Sequence, residues 1–133
     1  VRKLILDRDL LINLIFESSD TILGNVVVSK ITMEPDIGLF CGGIAPLSVL
    51  PEYQSCGIGS KLVKAAIKNS EEMQMDALFI LGDPNYYERF GFNVSNLPSD
   101  YSAEHFQELE LTKHCLVNVK SKVIYANAFL SLN

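Results

Sequence analysis

Residues Gln54-Ser55-Cys56-Gly57-Ile58-Gly59-Ser60 follow an apolar stretch and precede an amphipathic one, so the chain turns from strand to helix through a glycine-spaced loop. Such a loop binds phosphate. The first amides of a helix lack intrahelical acceptors, and the aligned peptide dipoles place about half a positive charge beside them. Gly57 and Gly59 carry no side chain to keep a pyrophosphate away. Two familiar phosphate loops do not fit. A nucleotide P-loop needs G-x-x-x-x-G-K-[ST], but no glycine precedes Gly57 at that spacing and Ser60-Lys61 has the wrong order. The dinucleotide fingerprint G-x-G-x-x-G would require its third glycine at Leu62, and no acidic residue stands suitably placed beyond the helix.

The elements that must position this loop are legible around it. Ile44 to Leu50 reads as an apolar strand interrupted by Pro46, which removes a ladder bond and predicts a bulge. After the loop, Ile58, Leu62, Ala65, Ala66 and Asn69 keep the helical period, with Lys61, Lys64 and Lys68 on the solvated face. Ala77 to Leu81 is a short apolar run suited to a parallel strand covered on both faces. Together these make a right-handed βαβ unit. Asp83 then predicts an N-cap with Pro84 at the first helical position and Gly91 as the stop, so that a short helix carries Asn85, Tyr86, Tyr87 and Arg89. Leu11 to Phe16 and Ile22 to Met33 read as antiparallel strands joined near Asp20, with a turn at Pro35 to Gly38. Further on, Phe92 to Val94 predicts a strand, Asn96 to Tyr101 a loop and Ala103 to Glu108 a short helix. Val117 to Val119 and Val123 to Tyr125 predict a closing hairpin.

Composition narrows the partners. A chain of 133 residues, 48% of them hydrophobic, is expected to form one domain over residues 1–133. A net charge of −5 and a pI near 4.9 argue against nucleic acid and mildly favour a cationic amine ligand. Cys41, Cys56 and Cys115 are odd in number and contain no C-x-x-C pair, which indicates neither a disulfide framework nor a metal site. A reducing cytoplasm is the expected location. No run approaches the ~18 apolar residues of a membrane span, and Val1 to Leu4 lack the core of a signal peptide, so a soluble protein is expected.

Gln54, Gly57 and Gly59 meet the Gln/Arg-x-x-Gly-x-Gly/Ala pattern, and the stretch from Val49 through Pro51, Tyr53 and Gln54 to Gly59 follows V-x-P-x-Y/F-Q-x-x-G-I-G. This resembles the acetyl-coenzyme A loop of GNAT N-acetyltransferases. A second block, Tyr86-Tyr87-Glu88-Arg89-Phe90-Gly91-Phe92, resembles the same family's F-Y-x-x-x-G-F helix end. With Leu81 to Pro84 before it and Val123 to Phe129 after it, the chain is most similar to a bacterial branch of predicted acetyltransferases without an assigned substrate. The resemblance implies an α/β GNAT (acyl-CoA N-acyltransferase) fold, a mixed central sheet with a βαβ coenzyme A-binding core. Its N-terminal elements are reduced to Val1 to Leu10.

The resemblance also implies site residues. Main-chain amides from Gln54, Ser55, Cys56, Gly57, Ile58, Gly59 and Ser60 would hold the pyrophosphate of acetyl-CoA. Leu47, Ser48 and Val49 would pair with the pantetheine arm as an added strand, and an N–H near Val49 would polarise the thioester carbonyl. Asn85 would hydrogen-bond coenzyme A. Tyr87, preferred over Tyr86, stands where the family keeps a general acid, since a phenol of pKa ~10 can protonate a thiolate whose conjugate acid is near ~8.5. Glu52 is the first candidate for taking the amine's proton through a water, ahead of Glu34 and His105, while His114 and Cys56 are expected to have no catalytic part. The function expected is direct acetyl transfer from acetyl-CoA to the amine of a small molecule or peptide, without a metal. The alternatives are a non-catalytic acyl-CoA sensor and, more remotely, a nucleotide-binding domain. A homodimer paired through the closing hairpin is a further expectation.

Overall fold

Alternating and fully apolar runs become strands here, and the two strongest helix signals become helices. A computed structural model describes residues 10–126. The expected reduction of the front end lies largely outside them, as does the end of the Val123 to Phe129 block. Strand β1 (Leu10–Ser18) turns through Ser19 and Asp20, both at positive φ, into the long β2 (Thr21–Glu34). Two left-handed residues are what a tight two-residue hairpin requires. β3 (Cys41–Val49) begins three residues before the apolar run read as strand and ends just before Leu50. Opposite β2 its register jumps between Val26↔Leu47 and Val28↔Ile44, which sets Ala45 and Pro46 against the single Val27. This is the bulge that Pro46 predicts.

Helix α1 (Ile58–Glu72) crosses over to β4 (Ala77–Leu81), which pairs with β3 in parallel from Cys41↔Ala77 to Ile44↔Ile80. The βαβ unit is therefore present. α1 lays Ile58, Leu62 and Ala66 on Val26, Val28, Ile44, Leu78 and Ile80, while Lys61, Lys64 and Lys68 are exposed. On the opposite face of the sheet, Phe79 stacks on Phe106 with ring centroids 5.4 Å apart, packed with Ile31, Leu116, Val123 and Tyr125. β4 is thus covered on both faces, as a continuous apolar strand demands. Helix α2 (Pro84–Tyr87) starts on Asp83, whose Oδ1 accepts the Asn85 N–H at 2.9 Å, and a 3-10 turn (Glu88–Phe90) carries it to Gly91. β5 (Asn93–Val94) is brief.

Two expectations fail in the last third. Ala103 to Glu108 is not a helix: one turn closes on the Ser102 carbonyl, and β6 (Phe106–Glu110) then runs antiparallel to β4, with Leu81↔Phe106 and Ala77↔Glu110. The open edge of β4 and the seat beside Phe79 outweigh the local helix preference of Ala103 and Glu104. Nor do Val117 to Val119 form half of a hairpin. They lie in turns, with His114 and Asn118 at positive φ, and the Leu116 N–H donates to Glu110 Oε2 at 2.8 Å. β7 (Lys122–Tyr125) instead pairs antiparallel with the far half of β2. Ile31 faces Cys41 on one edge of β2 and Tyr125 on the other, so β7 takes the edge that β1 leaves free beyond Ser29. The structural basis for a hairpin-paired dimer is absent among the described residues. The sheet order is β1-β2-β3-β4-β6-β5, with β7 beside β2.

Two covered thiols, Cys41 buried and Cys115 half-buried, are expected to make this fold sensitive to alkali. Burial, then the neighbouring Cys115 and Asp76, push the Cys41 thiol from 9.0 to about 12. Burial, with Glu110 and Asp76 nearby, pushes Cys115 from 9.0 to about 11. The unfolded chain therefore gives up these protons first, so the stability they represent is complete below pH 9 and is lost as pH climbs through about 11 and 12. We expect the urea midpoint to fall steeply above pH 9, and less steeply in Cys41→Ala. Identical slopes would show that Cys41 does not contribute.

Candidate active site

The parallel pairing of β3 and β4 stops at Ile44↔Ile80, and beyond Pro46 no strand among the described residues lies beside the outer edge of β3. Leu50 N–H donates to the Leu23 carbonyl at 2.9 Å, so by strand alternation Ser48 also addresses β2, while Leu47 and Val49 turn their peptide groups outward. The Val49 carbonyl accepts from Gln54 Nε2 at 3.2 Å, which ties the strand end to the loop. A 3-10 turn (Pro51–Tyr53) bridges the two.

At the loop itself Ser55 has φ 66 and Gly57 φ 84. Gly57 is the N-cap of α1 and offers no capping side chain, and there is no acidic residue in the first turn. The first intrahelical bond recorded is from Lys61 N–H to the Gly57 carbonyl at 3.1 Å, so the amides of Ile58, Gly59 and Ser60 stand at an uncapped positive helix end. They open on a cavity of about 420 Å³ walled by Val49, Tyr53 and the loop on one side and by Tyr86 and Arg89 on the other. Across it, a Cβ placed on Gly59 would lie 3.7 Å from the Tyr86 hydroxyl. Arg89 donates through Nε to the Tyr86 carbonyl at 2.8 Å, and its guanidinium stacks 4.3 Å from the Tyr86 ring centre. That arrangement fixes a cation opposite the helix end, and the two together suit a diphosphate.

Of the residues anticipated from sequence, Val49, Gln54, Ser55, Gly57, Gly59 and Ser60 line this cavity. Cys56 is exposed in the loop without lining it, and the Ile58 side chain is the first core position of α1, leaving only its amide at the mouth. Leu47 packs partly into the core. Ser48 lines a separate cavity of about 160 Å³ with Gly24 and Leu50, its main chain being committed to β2. Asn85 is exposed, and it faces an adjoining open cavity of about 690 Å³ that shares Arg89. Glu52 is exposed on the 3-10 turn, outside the cavity wall. Glu34, at the end of β2, and His105, on the turn before β6, do not line it.

Tyr87 is not among the residues lining the cavity, but its ring meets that of Tyr86 edge-on with centroids 4.9 Å apart. Its ring rests on Gly82 at the end of β4, where an added Cβ would meet Cε2 at 2.5 Å, and it meets Phe92 edge-on at 6.1 Å. Burial, and secondarily Tyr86, raise its phenol above the ordinary 10.0. Sequence reasoning did not anticipate Tyr53 and Arg89 on the wall and ranked Tyr86 second. The signal that was available is the i, i+3 spacing of Tyr86 and Arg89, which puts ring and cation on one face. Among the described residues no group of three or more His, Cys, Asp or Glu is arranged to hold a metal, and no helix is long and apolar enough to cross a membrane.

A split parallel pair and an uncapped glycine-led helix thus meet beside a cavity whose charge suits a phosphorylated ligand. The family model of the acetyltransferase (GNAT) domain matches residues 12–94, and the chain belongs to that family. Its sheet is similar to the crystal structure of the GNAT family N-acetyltransferase YhbS from Escherichia coli in complex with CoA. The TM-score is 0.87 at 27% identity, covering 97% of this chain and 74% of that one. A GNAT family acetyltransferase from Brucella melitensis in complex with acetyl-CoA gives 0.80 at 28% identity, covering 96% and 74%. Among curated proteins, the uncharacterized N-acetyltransferase YjhQ of Escherichia coli (strain K12) is 43% identical over 49 residues, 37% of this chain and 27% of that protein. The matched segment of YhbS from the same strain is 32% identical over 74 residues, 56% and 44% respectively. These sequence matches span less than half the length of either curated relative.

Proposed function

We propose that this chain, read as a single domain acting in the cytoplasm, is an acetyl-CoA-dependent N-acetyltransferase that passes acetyl directly to an amine in a ternary complex. The observation that carries the reading is the open mouth of α1, whose uncapped amides face a cavity also holding Arg89, beside a strand edge that no described strand pairs. The complexes of similar proteins with CoA and acetyl-CoA support it. In this reading the amides of Gly57 to Ser60 and the guanidinium of Arg89 hold the diphosphate. The outward peptide groups of Leu47 and Val49 take the pantetheine arm as a strand would. A Val49 N–H polarises the thioester carbonyl, and positioning supplies much of the rate.

The neutral amine attacks the carbonyl carbon, the tetrahedral adduct expels the thiolate as the C–S bond breaks, and Tyr87 returns a proton to sulfur. Glu52 takes the amine's proton through a water, because an alkyl ammonium near pKa ~10.4 cannot attack until it is deprotonated. Glu52→Gln is expected to lower turnover about tenfold, less than the roughly 10²–10⁴-fold of an acid–base group in direct contact because a water relays the proton, with acetyl-CoA binding unchanged. Arg89→Ala should weaken acetyl-CoA about tenfold, the scale of one lost charge-assisted contact. Isothermal titration checks it, and an unaltered dissociation constant would remove Arg89 from the site. The reading as a whole is tested by a thermal-shift screen with acetyl-CoA followed by thiol release with a panel of amines. A stabilised protein that releases no thiol with any amine would favour the sensor instead.

A further inference from the structure

Behind the cleft, where β4 gives way to α2, a glutamine is sealed into the sheet. Gln107 on β6 is completely buried, opposite Ile80 on β4 and Val94 on β5. Its Nε2 donates to the Gly82 carbonyl at 3.1 Å and lies 3.4 Å from the His105 carbonyl. With the nitrogen committed to two carbonyls the amide orientation is fixed, and no donor among the described residues reaches Oε1. A methionine of similar shape would fill the same space without burying an amide that is half unpartnered. The bond to Gly82 is what the glutamine supplies.

Gly82 is the last residue before the Asp83 cap, and its N–H is already spent on the His105 carbonyl at 3.1 Å. Beyond it the ladder ends, so the Gln107 side chain takes the carbonyl that the sheet no longer pairs. The same peptide is the floor under Tyr87, whose Cε2 would lie 2.5 Å from any Cβ at this position. The Asp83 carbonyl next along the chain accepts the N–H groups of both Tyr86 and Tyr87, at 3.0 and 3.1 Å. A rotation of the Gly82 peptide would therefore tilt the ring and the first turn of α2 together.

We infer that Gln107 is a positioning residue for acetyl transfer: its buried amide clamps the Gly82 carbonyl and so fixes the seat on which the Tyr87 ring rests. This rests on the acetyltransferase reading, in which Tyr87 protonates the departing thiolate. Gln107 touches neither substrate nor carrier, and its effect reaches the reaction only through Gly82 and Tyr87.

The test is a double-mutant cycle of Gln107→Met and Tyr87→Phe, read by free-thiol release from acetyl-CoA with a fixed panel of a polyamine, an aminoglycoside and a peptide with a free N-terminus. Acetyl-CoA affinity is measured alongside as evidence that each variant is folded. Gln107→Met is expected to lower kcat about tenfold while changing KM for acetyl-CoA less than about threefold, and to add less than twofold in the Tyr87→Phe background. Gly82→Ala, which leaves Gln107 intact but crowds the ring, is expected to reproduce the kcat loss if Gln107→Met does not fold. Independent, multiplying effects of Gln107→Met and Tyr87→Phe, or a full-rate Gln107→Met and Gly82→Ala, would overturn the positioning role alone. No thiol release by the unaltered protein would instead overturn the acetyltransferase reading beneath it, and none lost in Tyr87→Phe would overturn the acid role of Tyr87 and the positioning role with it.

Discussion

Gly57→Glu is expected to weaken acetyl-CoA binding by at least about 100-fold while leaving the protein folded, because each charge-assisted bond to a phosphate is worth roughly 1.5–3 kcal/mol and more than one is at stake. The backbone at Gly57 has φ 84 and a Cβ there meets nothing within 4 Å, so the only steric cost is the left-handed conformation itself. That cost is about 1–2 kcal/mol for an L-residue. A carboxylate at a helix N-terminus returns about 0.3–1 kcal/mol through the helix dipole. The net loss of stability is therefore small. The new carboxylate would sit at the uncapped amides of Ile58 to Ser60, competing with the diphosphate for the same donors and repelling it. Gly57→Ala separates the causes: it has the same backbone strain without the charge, and should bind within about fivefold of the unaltered protein, since strain alone does not occupy the amides. Equal losses in the two variants would point to a distorted loop, and an unchanged affinity in Gly57→Glu would remove the loop from the phosphate site.

The second large effect is on chemistry. Tyr87→Phe keeps the ring against Gly82, Phe90 and Phe92 and removes only the hydroxyl. A positioned general acid contributes about 10²–10⁴-fold, so kcat should fall about 100-fold near neutral pH with KM for acetyl-CoA nearly unchanged. The pH profile carries a second signature. Burial, reinforced by Tyr86, holds the Tyr87 phenol above its ordinary 10.0, so the protonated form that can donate persists past that pH. The alkaline fall of kcat assigned to this acid therefore lies above pH 10 and disappears in Tyr87→Phe. Turnover that is the same in both proteins at every pH would show that the thiolate leaves without help from Tyr87.

What the sequence made legible were features decided within a few residues. Gly57 and Gly59 announce a glycine-spaced turn from strand to helix, Asp83 and Pro84 announce a helix start, and the Ile58, Leu62, Ala66 repeat announces a helix face. Each of these is local chemistry. The failures all depend on partners far along the chain. Phe106 to Glu110 becomes a strand because β4 needs an edge partner and Phe79 a stacking ring, and neither need is visible near residue 106. Val117 to Val119 look like strand, but Asn118 adopts φ 64 and the long β2 claims Val123 to Tyr125 for itself. The site divides the same way. Its glycine loop was readable, whereas the presence of Tyr86 and Arg89 on the opposite wall depends on how α2 folds back over the mouth of α1. Gln107 gives no sign at all in sequence, since only the sheet register brings its amide to Gly82.

The most direct test of the account watches the helix mouth itself, by following backbone amide resonances of 15N-labelled protein as CoA is added. The amides of Gly57, Ile58, Gly59 and Ser60 should show the largest shifts, moving downfield as they donate to the diphosphate, and should not move when dephosphorylated pantetheine replaces CoA. Saturable CoA binding that leaves those four resonances in place while shifting others would contradict the account.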